Sequence, residues 1–138
     1  MISSDNEARN LQTARRYLAA LERRASPEAI AEFLHPDIVA EELPNRLVPS
    51  GVRRDLAGML QGVERGNQIL LSQSYRVGAA LAEGERVALE VAWTGTLACA
   101  FGEQLPQGTT LRARIGMFLE FRDGRIVAQR NYDCYEAW

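Results

Sequence analysis

The sequence predicts an α+β domain in which about three N-terminal helices pack on a long, strongly curved, mainly antiparallel sheet. Three observations predict it. Apolar residues recur at three- and four-residue spacing through the first part of the chain, the stripe of amphipathic helices. The second half alternates with the two-residue period of sheet. Turn signals at Glu83-Gly84-Glu85 and Asp123-Gly124 then divide that half into paired strands. With 138 residues the chain suffices for one core and is short for two, so one domain spanning 1–138 is expected.

The elements follow in order. Between Asn6 and Arg24, Ala8, Leu11, Ala14, Leu18 and Leu21 form one stripe while Arg15, Arg16, Glu22 and Arg23 fall largely elsewhere, which predicts the first helix. Ser26-Pro27 supplies an N-cap followed by proline at the first helical position, opening a short helix that carries Ile30, Phe33 and Leu34 and ends at His35-Pro36. Asp37 to Leu43 reads as a short strand closed by Pro44-Asn45. A loop containing Pro49-Ser50-Gly51 leads into a third helix, from about Val52 to Arg65, with Gly66-Asn67 as its stop. A four-strand meander completes the domain. On its strand from Thr109 to Arg122, Leu111, Ala113, Ile115, Met117, Leu119 and Phe121 should face the helices, leaving Arg112, Arg114, Phe118 and Glu120 outside. A lone curved sheet rarely leaves such a face bare, so a homodimer through it is expected.

The last strand is the unusual one. Arg125 to Trp138 places amide, carboxyl, phenol and thiol groups where a structural strand carries Val, Ile and Thr, so it borders water or lines a site. Composition narrows what that site does. Sixteen basic against eighteen acidic residues, without a run of either sign, offers no footprint for nucleic acid or anionic lipid. The N-terminus lacks a signal-peptide pattern and no window approaches 18 apolar residues, so a cytoplasmic location is expected. One histidine, His35, and two distant cysteines, Cys99 and Cys134, argue for free thiols and against a zinc cluster; no metal is expected.

Element order, together with Ala14-Arg-Arg-Tyr-Leu18, Asp37-Ile-Val-Ala-Glu-Glu-Leu43 and Phe121-Arg-Asp-Gly-Arg-Ile-Val127 with its Asn-Tyr-Asp sequel, resembles the cone-shaped fold of the nuclear transport factor 2 superfamily. The chain looks most like the SnoaL-like branch, which includes polyketide cyclases, with ketosteroid isomerase and limonene epoxide hydrolase as distant relatives. The resemblance implies a pocket inside the cone and no cofactor. Matched to ketosteroid isomerase, Tyr17 falls at the oxyanion-binding tyrosine and Glu42, or its neighbour Glu41, at the carboxylate base, but Met117 stands where a protonated aspartic acid should donate. Matched to the epoxide hydrolase, Asn131 replaces the last-strand aspartate and Ala92 a second acid. SnoaL-type cyclases depend on one acid of the late strand, and Asp133 is the residue that carries over.

These matches yield catalytic candidates Glu42, Asp133 and Tyr17 and the substrate-binding candidate Asn131; Trp93 and Met117, read as core, pocket wall or subunit interface, and Tyr135, read as pocket mouth or dimer seal, complete the substrate-binding candidates. Alternation pairs Asn131 with Asp133 and Tyr132 with Cys134, and the sequence leaves open which pair faces inward. An inward Glu42, beside Ile38 and Ala40, would be a carboxyl in an apolar cavity with a raised pKa. The reading is a cofactor-free enzyme moving a proton on an apolar, carbonyl-bearing metabolite; its alternative is a non-catalytic ligand-binding or dimerisation module. The segments Pro44 to Gly51 and Phe101 to Gly108 are the expected entrance loops.

Overall fold

The computed structural model describes residues 2–138, with side chains from residue 4 onward. Its elements are α1 (Ile2–Glu22), α2 (Pro27–Ala31), β1 (Leu34–Glu42), β2 (Val52–Arg54), α3 (Leu56–Ile69), β3 (Leu70–Glu83), β4 (Arg86–Leu97), β5 (Thr110–Arg122) and β6 (Arg125–Tyr135). The six strands form one sheet in the order β2-β1-β6-β5-β4-β3. β1 runs parallel to β6, and the other four neighbouring pairs are antiparallel. The α+β architecture is the one the sequence predicts: three helices on a curved, mostly antiparallel sheet. Register shifts in β3, between Val77 and Ala79, and in β6, around Val127, help to bend it.

The alternation of β5 is realised residue by residue. Leu111, Ala113, Ile115, Met117, Leu119 and Phe121 are buried, and Arg112, Arg114 and Phe118 lie on the opposite face. α1 crosses β3 and β4 and sinks Ala14, Tyr17 and Leu18 into the same core. The Asp123-Gly124 turn places both residues at positive φ, +54° and +76°, the backbone that matches strand twist in a two-residue hairpin.

Two element boundaries differ from the sequence reading. α2 ends at Ala31 and β1 begins at Leu34, because the cap N–H of Glu32 turns back to Ala29 and Ile30 and Pro36 is accommodated inside an irregular strand rather than ending a helix. The third helix starts at Leu56, not Val52. Val52–Arg54 instead pairs antiparallel with Ala40–Glu42 as an edge strand, and Asp55 caps the helix by accepting from the Gly58 N–H at 2.9 Å. Gly66-Asn67 does not stop it. The helix continues to Ile69, and Gly66 is carried within it at the ordinary entropic cost.

Candidate functional site

Between α3 and the concave face of the sheet lies a cavity of about 390 Å³, open to solvent at one end. Its walls are mostly apolar: Met59 and Val63 from α3, Leu70 from β3, Trp93 from β4, and Leu111 and Ile115 from β5. Leu47 and Phe101 bring both expected entrance loops to its edge. The polar groups come chiefly from β6, whose Gln129, Asn131, Asp133 and Tyr135 line it in succession, while Tyr132 and Cys134 face outward and are exposed. A bulge decides this orientation. Phe121 pairs with Ile126 but Glu120 pairs with Ala128, so one extra residue flips the phase of everything after it.

Asp133 is the chemically distinctive member. Its Oδ1 is buried and, among the described residues, has no hydrogen-bond partner. Burial, and secondarily the Glu42 carboxylate, push its pKa up to about 6. A carboxyl so placed exchanges protons near neutrality and offers an unspent oxygen to a guest. Glu42 shares the inward face of β1 with Ile38 and Ala40 and also lines the cavity, but it is already engaged. Arg54 Nη1 approaches its Oε1 at 3.4 Å and Asn45 Nδ2 donates to its Oε2 at 2.9 Å. Those partners leave it a tethered anion rather than an unaccompanied acid.

Two candidates stand behind the cavity rather than in it. Tyr17 is buried in the core, where its hydroxyl donates to Gln129 Oε1 at 2.8 Å, and burial raises its pKa. Gln129 Nε2 in turn donates to Asn131 Oδ1 at 3.1 Å. This relay orients the Asn131 amide, its oxygen spent on Gln129 and its two N–H groups left to donate. Tyr17 thus lies one side chain behind the cavity lining. Met117, opposite Asn131 in the sheet, is 1 % exposed, packs into the core and does not line the cavity.

Trp93 and Tyr135 both line the cavity and meet edge to face, with ring centroids 6.1 Å apart. The indole is fixed by a second relay: Trp93 Nε1 donates to Gln73 Oε1 at 2.9 Å, and Gln73 Nε2 donates to the Leu21 carbonyl at 3.0 Å. Gln73, Gln129 and Tyr75 are lining residues that sequence reasoning missed. Burial raises the pKa of the Tyr75 and Tyr135 phenols, so both are neutral donors. The period-two pattern of β3 held the available signal, since Gln73 and Tyr75 share its inward phase. Among the described residues no group of three or more His, Cys, Asp or Glu is placed to hold a metal ion.

A sequence model described as the SnoaL-like domain matches residues 14–129. The chain belongs to the SnoaL-like family. Solved structures agree on the fold. AclR of Streptomyces galilaeus, a candidate hydroxylase, superposes with a TM-score of 0.77 at 23% identity over 93% of this chain and 80% of its own. A candidate polyketide cyclase of Xanthomonas campestris pv. campestris gives 0.75 at 26% over 92% and 91%. An LEH-like epoxide hydrolase of M. tuberculosis gives 0.73 at 16% over 92% and 84%. No curated protein matches this SnoaL-like chain in sequence. Like these relatives it has the cone fold of the nuclear transport factor 2 superfamily. No helix among the described residues is long and apolar enough to cross a membrane.

Proposed function

We propose that this SnoaL-like domain is a small-molecule enzyme that moves a proton on an apolar, carbonyl-bearing metabolite, with Asp133 as the acid/base. One observation carries the reading: Asp133 Oδ1 is buried without a partner among the described residues, in a cavity whose walls are mostly apolar. In the cyclase-type version, the Asp133 carboxylate takes the proton from a carbon beside a carbonyl, and the C–H electron pair becomes an enolate. That carbon attacks a second carbonyl of the same molecule, forming the ring bond. The resulting alkoxide recovers the proton from Asp133, so the acid returns to its starting state. Asn131 N–H groups, oriented through Gln129 and Tyr17, and the phenols of Tyr75 and Tyr135 are the donors available to the developing oxyanion. Trp93 and the apolar walls hold the rings. That a similar structure is named a candidate polyketide cyclase is consistent with this chemistry.

The test is deuterium uptake from D₂O at the carbon beside the carbonyl in a panel of cyclic ketones and diketones, read by NMR. Uptake with the native protein that disappears in Asp133→Asn, while ligand binding persists, supports the assignment; uptake equal in both defeats it. A second reading, a binding module of the same fold, is favoured by the amides of Gln129 and Asn131 in place of further ionisable groups. It predicts binding without uptake. We also propose that a second copy of the chain covers the outer sheet face, where Leu81, Phe118 and Tyr132 are exposed.

A further inference from the structure

We propose that Arg54 and Arg65, converging over Gly62 at the rim of the cavity, form an anion subsite that seats the carboxylate of an apolar substrate. This deepens the preceding reading by naming a substrate class, and rests on it only for the identity of the cavity. Both arginines line the cavity. Arg54 Nε and an Arg65 terminal nitrogen each lie 3.9 Å from the point where a side-chain carbon on Gly62 would sit, so the two guanidinium groups reach the same small volume. No side chain occupies it. A glycine in the second turn of a helix costs about 1 kcal/mol relative to alanine, and nothing closer than 3.9 Å requires it there on steric grounds.

The charge balance at this spot is incomplete. Among the described residues Glu42 is the one carboxylate within ion-pair distance of Arg54, through a single contact of 3.4 Å, which leaves most of that guanidinium's N–H donors unspent. Arg65 has no carboxylate within ion-pair distance among the described residues. Arg65 thus stands at the cavity as a guanidinium group without an ion-pair partner among the described residues. A monoanion balances it, and guanidinium groups pair with carboxylates in a planar, two-pronged geometry. A phosphate dianion would instead leave excess negative charge beside Glu42. Repulsion from Asp133 keeps the carboxylate beside the arginines, so the rest of the ligand extends along Met59 and Val63 towards Asp133.

The experiment compares 2-naphthoate with methyl 2-naphthoate by calorimetry. Neither has a hydrogen beside its carbonyl, so binding is read without any reaction. The acid is expected to bind at least ~10-fold tighter than the ester. Arg65→Gln, on an exposed helix position, should erase that preference while leaving ester affinity unchanged, and Gly62→Ala should do the same by filling the volume between the guanidinium groups. Equal affinities for acid and ester in the native protein, equal losses for both in Arg65→Gln, or binding of neither compound would overturn the subsite. Asp133→Asn separates the two readings: it should abolish deuterium uptake and keep the naphthoate preference, so either result can fail alone.

Discussion

At the scale of single residues, Asp133 couples activity to stability with opposite signs. Its folded pKa is about 6 against an ordinary value of 3.8, so the folded state holds this proton more tightly than the unfolded chain does. The resulting stabilisation is fully present below the unfolded value and is lost as pH rises through about 6, leaving a cost of roughly 2–3 kcal/mol at pH 8. Asp133→Asn removes the ionised form. We therefore expect that variant to lose about 10²–10⁴ in turnover, and to gain stability in urea denaturation at pH 8 but not at pH 4. Equal stability changes at both pH values would contradict the buried-acid assignment. Glu42 supplies the second cause of the shift. Glu42→Gln should accordingly move the Asp133 midpoint downward, which carbon-detected NMR of the carboxyl resolves without a substrate. Between the two acids the sequence offered, Glu42 is the one whose carboxylate is already held, by Arg54 and Asn45.

At the scale of elements, legibility depended on whether a rule is local. β5 was readable because thirteen residues keep one phase, and α1 because its apolar residues recur at helical spacing, although Ala8 is exposed and Asn10 is buried instead. The inward face of β6 was not readable, since the bulge at Val127 carries no glycine or proline to announce it and a one-residue slip exchanges Asp133 for Tyr132. The start of α3 failed for a different reason. Val52 and Leu56 are four residues apart and imitate a helical stripe, whereas the pairing of Val52 with Glu42 is a long-range contact. Two glycines show how context sets the sign of a substitution within such elements. An added carbon at Gly66 in α3 meets nothing within 4 Å, so Gly66→Ala should stabilise the fold by about 0.5–1 kcal/mol. At Gly95 in β4 the same carbon would sit 2.5 Å from the Trp93 ring, which lies over that glycine. Gly95→Ala should cost about 1–3 kcal/mol and displace the indole from the cavity wall, visible as a changed near-ultraviolet circular dichroism spectrum and a lower urea midpoint.

At the scale of the whole molecule, the sheet divides the chain's chemistry between its two faces. The concave face meets the helices and holds the cavity; the convex face holds Phe118 and Tyr132, stacked edge to face at 5.7 Å and each more than 40 % exposed. Gly116 lies beside that pair and leaves the surface there shallow. Arg130 and Glu120 pair at 2.9 Å on the same face, and Arg112 and Arg114 continue it, so the apolar centre is bordered by charge of both signs. Such a patch suits a two-fold partner, since the same aromatic pair on a second copy could meet it inside a rim of mixed charge. Sedimentation equilibrium should then give twice the 15.4 kDa chain mass. Phe118→Glu combined with Tyr132→Glu places four carboxylates in that interface and should return the protein to a monomer, with an unchanged far-ultraviolet spectrum showing that the fold survives. Both positions point away from the core, so their loss removes no packing from the cone itself. A native protein that sediments as a monomer at tens of micromolar would leave the convex face without a second copy, and the exposed aromatic pair without that explanation.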